Sequence, residues 1–203
     1  METENLSPAK HGTAELIEKR SRFIGNIIHV DSEEEALDYV KQIKRKYHDA
    51  NHSAYAYITP GTMRYSDDGE PAKTAGLPIL EMLDAQKITD CVCVVTRYFG
   101  GTLLGTGGLV RAYTGAAKLA LEDAGVKRMT LHDMLVLTIP YAQFDSIKYL
   151  AGECGCEFVK CEYTDVITVE AVCECDKTPD FKERLASSFG GSVTVNDNGQ
   201  IYL

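Results

Sequence analysis

The sequence predicts an α+β protein with two domains. The first observation is an apolar, β-branched run, Val92–Thr96, which is typical of a buried strand. The second is the helical spacing of apolar residues from Leu109 onward, so that this strand leads into a helix through a glycine-rich stretch. The third is a change of pattern after Gly125, beyond which short strands alternate with two helices. We therefore expect a mixed domain followed by a smaller one.

The first domain is predicted to open with two strands, Thr13–Glu18 and Phe23–His29, on either side of a basic turn. Ser32 and Glu35 have the spacing of a capping box, which predicts that a helix begins there. The further predicted elements are a hairpin of Ser53–Ile58 and Met63–Tyr65 turning at Pro60-Gly61, a helix from Ala75 with Pro78 in its first turn, and the long helix ended by Gly125.

The second domain is predicted to have the order strand, helix, strand, strand, helix, strand, which is the ferredoxin-like motif. Thr178 is predicted to cap the second helix with Pro179 at its first position, and Gly190 to end it. Val126–Thr130 is predicted to be the linker, so that the domains span residues 1–128 and 131–203. The strands are expected at Met134–Ile139, Cys156–Tyr163, Val166–Cys175 and within Ser192–Leu203, and the first helix around Phe144–Ala151.

The formal charge of −9 is unevenly distributed, because residues 131–203 contain 5 Lys and Arg against 12 Asp and Glu. Such an acidic domain is a poor general surface for nucleic acid, so any contact with a polyanion is expected in the first domain. The N-terminal residues lack the basic region and apolar core of a signal peptide. No apolar run is long enough to cross a bilayer, and we expect a cytoplasmic protein without membrane contact.

The seven cysteines are an odd count without a secretion signal, which argues against a disulfide framework. Six of them form C-x-C pairs, and the predicted hairpin would bring the last two pairs near each other. No C-x-x-C knuckle is present, so structural cysteines are favoured over metal ligands. His48 and His52 resemble a metalloprotease pair in spacing alone, since a helix is not expected to continue there. No metal site and no cofactor are predicted.

The best functional lead is the glycine-rich stretch between the central strand and the long helix. Clustered glycines at a helix N-terminus expose backbone N–H groups, which bind anions with the help of the helix dipole. The spacing fits neither a P-loop nor a dinucleotide fingerprint, and glycines also serve tight turns and close packing. We predict an anion-facing set of Arg97, Gly100, Gly101, Gly105, Gly107, Gly108 and Arg111, opposed by His52, Arg64, Asp68 and Glu70. Arg64 and Asp68 have the alternative of pairing with each other.

The motifs Gly76-x-Pro78-Ile79-Leu80 and V-V-T-R-Y-F-G-G-T-L-L-G, residues 94–105, resemble the signature of the YigZ/IMPACT family. The acidic stretch at residues 67–76 and the Ala54-Tyr55 strand after His52 resemble that family too. The resemblance implies an N-terminal α/β sandwich like the second domain of a small-subunit ribosomal protein, a fold shared with elongation factor G and galactokinase-type kinases. It also implies a C-terminal domain like the last domain of elongation factor G.

The resemblance implies a translation-linked binding protein, because the eukaryotic family member restrains a kinase that shuts down translation initiation. The expected partners are therefore the ribosome, RNA or a translation-related protein, without DNA specificity. The alternative is a phosphotransferase-like enzyme that acts on a phosphorylated small molecule at the glycine-rich loop, with Asp67, Asp68 and Glu70 holding Mg²⁺. No general base is evident in the sequence, so no catalytic residue is predicted.

Overall fold

A computed structural model describes residues 4–203, which divide into one compact unit of Asn5–Arg128 and a second that contains Met129–Leu203. Both units combine helices with an antiparallel sheet, which confirms the α+β class. Among the described helices, none is long and apolar enough to span a membrane.

The first unit is built on a five-stranded antiparallel sheet with the order β2-β3-β6-β4-β5. The central strand β6 is fully buried as far as Arg97, as its apolar, β-branched sequence predicts. Strand β1 lies outside this sheet and pairs with β7 (Val126–Ile139), and its Leu6 also forms an isolated parallel bridge with Ile88. The strands are β1 Glu4–Pro8, β2 Gly12–Glu18, β3 Ser21–His29, β4 His52–Thr59, β5 Thr62–Ser66 and β6 Cys91–Tyr98.

Three helices cover the two faces of this sheet: α1 (Glu33–Lys46), α2 (Gly76–Ala85) and α3 (Thr106–Ala124). Helix α1 packs Tyr39 and Ile43 among the apolar side chains of one face. Helices α2 and α3 cover the other face, where α3 lies against β2 and β3. The predicted hairpin is confirmed, with Gly61 at φ 77° in the turn between β4 and β5.

The second unit has the antiparallel strand order β10-β7-β9-β8, and α4 and α5 pack on one face of the sheet. This arrangement is the predicted ferredoxin-like motif. Its elements are β7 Val126–Ile139, α4 Phe144–Glu153, β8 Cys156–Tyr163, β9 Ile167–Glu174, α5 Thr178–Phe189 and β10 Thr194–Tyr202, with a short 3₁₀ turn at Tyr141–Gln143.

Three local predictions need correction. The segment Val126–Thr130 contains the division between the two units after Arg128, but it is extended as the start of β7, where Thr130 exchanges two backbone hydrogen bonds with Leu203. Thr178 is the first residue of α5 rather than its cap, and its hydroxyl donates to the Glu174 carbonyl. In the capping box, Ser32 accepts from the Glu35 amide as predicted. The Glu35 carboxylate, however, accepts from the Asp31 amide and not from the amide of the Ser32 N-cap.

The cysteines of the second unit depart from the expectation of a chain without disulfides. Cys156 and Cys173 are directly opposed on β8 and β9 and form a disulfide. The predicted hairpin thus brings members of two C-x-C pairs together, as expected. Five cysteines are free, and Cys91 and Cys93 are fully buried in β6, where burial raises the pKa of both thiols. The described residues contain no cluster of metal-ligating side chains.

Close packing of α3 on β3 requires glycine at position 25. A Cβ atom there would lie 2.4 Å from the backbone oxygen of Ala116 in α3. We predict that Gly25→Ala lowers the free energy of unfolding by about 1–3 kcal/mol, because the helix must move away from the sheet. Chemical denaturation of the purified variant measures this loss. The matched control is Gly107→Ala, whose nearest atom belongs to the flexible Arg111 side chain at 3.6 Å; an equal loss in the control would contradict the packing argument.

Candidate functional site

The glycine-rich loop connects β6 to α3 and is fixed to the turn before β3. The Gly100 amide donates to Ser21 Oγ at 3.2 Å, and a Cβ at Gly100 would lie 2.0 Å from the Arg20 backbone. Only glycine allows this approach. Gly101 and Gly105 have φ values of 82° and 72°, which favour glycine, and Gly105 ends the loop as the N-cap of α3. The loop therefore lies directly beside the basic turn at residues 19–20.

A buried ion pair joins this loop region to the acidic loop that follows β5. The Arg97 guanidinium donates to Glu70 Oε1 at 2.6 Å, and the Tyr113 hydroxyl donates to the same oxygen at 2.8 Å. Arg97 is 6% exposed and Glu70 8% exposed. Burial, followed by the Glu70 carboxylate, raises the pKa of Tyr113, so its hydroxyl stays a donor. In this structure, Arg97 and Glu70 face each other rather than the solvent.

Two aromatic rings complete the surroundings of Arg97. Its guanidinium carbon lies 5.5 Å from the Phe23 ring centroid and 5.4 Å from that of Phe99, within range of cation–π attraction. A second guanidinium nitrogen is 3.4 Å from Ser21 Oγ. These contacts assign Arg97 a structural part: it holds the loop, the turn and the acidic segment together.

The carboxylates of the acidic loop are occupied by the protein itself. Asp67 accepts hydrogen bonds from the backbone amides of Lys73, Ala75 and Gly76 at 2.8, 3.0 and 2.8 Å, and so caps α2. This cap was not predicted, because it acts from eight residues before the Ala75 N-cap. Asp68 accepts from the Ser53 amide at 2.7 Å and pairs with Lys44 at 2.6 Å.

The proposed opposing wall is only partly assembled. His52 Nδ1 lies 2.8 Å from the Asp68 carbonyl, which places His52 beside the acidic loop. The suggested pairing of Arg64 with Asp68 is wrong, since Arg64 pairs with Glu33 at 3.2 Å. The reason is the register of the two strands, which places Arg64 of β5 opposite Tyr57 of β4. The Tyr57 hydroxyl donates to the same Glu33 carboxylate.

The exposed part of the predicted site is the N-terminal turn of α3. Gly101, Gly105 and Gly107 are exposed, and Gly108 is half-buried against Leu104. The Gly105 N-cap provides no side-chain hydrogen bond to the first amides of α3. The exposed Arg111 lies one turn further along, beside Gly107. Backbone N–H groups, the positive end of the helix dipole and a guanidinium therefore meet here.

Exposed side chains from the neighbouring turn and loop extend this site. Lys19 and Arg20 have no ion-pair partner among residues 4–203. Phe99 is 46% exposed and Leu103 83% exposed. The sequence indicates the basic turn but does not place it at the site, because only the packing of Gly100 on Arg20 shows that they adjoin. We call Lys19, Arg20, Phe99, Leu103 and Arg111 the loop surface.

Comparison with known proteins identifies the family. Residues 19–121 match the model of the Impact N-terminal domain, and residues 137–192 match a domain of unknown function, DUF1949. The chain belongs to the IMPACT family. IMPACT family member YigZ of Escherichia coli (strain K12) is 34% identical over 94% of this chain and 96% of its own.

Two further comparisons extend over nearly the whole chain. IMPACT family member YvyE of Bacillus subtilis (strain 168) is 31% identical over 95% of this chain and 90% of its own. A solved structure titled "Crystal structure of an hypothetical protein" has a TM-score of 0.73 at 33% identity and covers 96% of this chain and 97% of its own. The similarity to these two bacterial IMPACT family members therefore extends through both matched regions of the chain.

We predict that Glu70→Ala lowers the free energy of unfolding by about 3–5 kcal/mol, because it leaves the Arg97 guanidinium buried without its partner. Chemical denaturation measures the loss. The double variant Arg97→Met with Glu70→Leu removes both charges and is expected to recover much of the stability. A double variant no more stable than Glu70→Ala would show that the loss arises from packing.

Proposed function

We propose that this IMPACT family protein is a non-enzymatic, translation-associated binding protein that contacts ribosomal RNA through the loop surface. The observation that carries the proposal is a group of cations, in the turn against Gly100 and in the first turns of α3, that have no ion-pair partner among the described residues. Lys19, Arg20 and Arg111 are exposed there in a chain whose formal charge is −9. Local concentration of cations in an acidic protein supports a dedicated contact for a polyanion.

The backbone geometry supports phosphate as the group that is bound. Helix α3 is 19 residues long, and its first amides follow a glycine N-cap without side-chain capping. An incoming phosphate oxygen would accept from these amides and would be paired by Arg111. Because positions 105 and 107 are glycines, no side chain at these positions lies between an incoming phosphate and the first amides of α3.

The apolar members of the loop surface support single-stranded or irregular RNA as the form of the ligand. Phe99 is half-exposed, and Leu103 of the same loop is 83% exposed. Unstacked bases pack on such side chains, and sequence-tolerant stacking combined with phosphate contacts is common among proteins that bind single strands.

The phosphotransferase-like alternative has less support. It needs free carboxylates for Mg²⁺, but Asp67 caps α2, Asp68 pairs with Lys44, and Glu70 pairs with Arg97. A rise in melting temperature with Mg²⁺ and a nucleotide would favour the enzyme over the binding protein.

We predict that the triple variant Lys19→Ala, Arg20→Ala, Arg111→Ala weakens binding to ribosomal RNA by roughly ten-fold or more at about 0.1 M salt. The plot of log affinity against log salt should become less steep, because the magnitude of its negative slope falls by about 0.7 for each lost phosphate contact on single strands. Filter binding or fluorescence anisotropy at several salt concentrations measures both quantities.

The matched control is Arg45→Ala, Lys46→Ala, Lys118→Ala, which removes three exposed cations elsewhere in the same unit. Binding by this control should change less than that of the test variant, with a similar salt slope to the wild type. Equal weakening by the two variants would mean that RNA affinity depends only on the net charge of the protein, and the proposed surface would be rejected. Absence of salt-sensitive association in the wild type would reject RNA as the partner.

A further inference from the structure

We propose that the second unit carries a docking surface for an arginine-rich, extended segment of a partner protein. The surface is an aromatic strip formed by Tyr141, Phe144, Phe158 and Tyr163. It lies in the unit that contains Met129–Leu203, apart in sequence from the loop surface, and it does not depend on the function proposed there.

Three rings of the strip are in contact with one another, and the strip is partly exposed. The Phe144 ring centroid lies 6.0 Å from that of Phe158 and 6.1 Å from that of Tyr163. Phe144 and Phe158 also pack against the buried core of the unit, which anchors the strip. Tyr163 and Tyr141 are 61% and 54% exposed, so more than half of each side chain is available to a partner.

A hydrogen bond fixes one end of the strip. The Tyr141 hydroxyl donates to the Thr164 carbonyl at 2.7 Å, which ties the 3₁₀ turn before α4 to the turn between β8 and β9. Aromatic side chains held in this way contribute contact area to binding at a small entropic cost. A large exposed apolar group that is held in place rather than mobile is typical of an interaction surface.

The carboxylates next to the strip in sequence favour a cationic partner. Asp145 follows Phe144, and Asp165 lies in the turn just after Tyr163. Neither carboxylate has an ion-pair partner among the residues that the structure describes. By contrast, four of the five cations of residues 131–203 are already in ion pairs: Lys160 with Glu162, Lys177 with Glu174, Lys182 with Asp197, and Arg184 with Glu153.

Arginine suits this combination better than lysine. Its planar guanidinium stacks on aromatic rings and at the same time donates two hydrogen bonds to a carboxylate. An extended segment is favoured because β8 is the outer strand of its sheet, and Tyr163 is the last residue of this strand. The exposed backbone of an outer strand accepts a chain lying alongside it.

The test uses the full chain and a fluorescein-labelled octa-arginine peptide, with binding followed by anisotropy at about 0.1 M salt. We expect Tyr141→Ala with Tyr163→Ala to weaken binding about five- to ten-fold, because two exposed cation–π contacts are lost. The control is Tyr149→Ala, which removes a 70% exposed tyrosine of α4 outside the strip and should change the affinity less than two-fold. Equal effects of the two variants would overturn the proposal.

A second pair of variants keeps the aromatic packing intact. Asp145→Asn with Asp165→Asn should weaken binding, whereas Asp176→Asn with Glu183→Gln, which removes the same charge elsewhere in this unit, should not. Octa-lysine is expected to bind more weakly than octa-arginine, and equal affinities would overturn the stacking argument. The Lys19, Arg20, Arg111 variant should bind the peptide as the wild type does. If the wild type binds RNA but not the peptide, this inference alone is rejected. If the wild type binds the peptide but not RNA, only the proposed function is rejected.

Discussion

The first unit depends on a buried ion pair whose geometry organises the residues around it. Arg97 at the end of β6 reaches Glu70 in the acidic loop, and Tyr113 of α3 donates to the same carboxylate oxygen. Burying two charges is costly, so the pair is stable only because each member has further contacts: Arg97 with two aromatic rings and Ser21, Glu70 with the tyrosine. The consequence is that a strand, a loop and a helix that are distant in sequence are held in one arrangement.

That arrangement separates the structural from the accessible residues of the glycine-rich region. The guanidinium of Arg97 lies beneath Phe99, so the chain presents the Phe99 ring, the α3 amides and the Arg111 side chain to the solvent. The glycines divide in the same way. Gly100 permits the approach to Arg20, whereas Gly105 and Gly107 leave the helix N-terminus open. One sequence motif thus serves packing at one end and exposure at the other.

The two units also differ in the chemistry of their surfaces. Within residues 4–203, cations without an ion-pair partner lie in the glycine-rich region of the first unit, while the second combines carboxylates without such a partner with exposed tyrosines. These features suit partners of opposite charge. The two proposed contacts, with a polyanion and with a basic polypeptide, would therefore use separate domains.

The sequence by itself determined the α+β class, the order of the elements from β2 onward and the family, but it did not indicate β1. Periodicity and turn residues are local signals, and Pro60-Gly61, Gly125 and Gly190 act through the backbone conformations that they permit. Only the tertiary structure decided which polar residues meet. Arg97 and Glu70 are 27 residues apart, Arg64 pairs with Glu33 because of strand register, and the pairing of Thr130 with Leu203 converts an expected linker into a strand. Such partners depend on packing between distant segments, which the local pattern of a single chain does not contain.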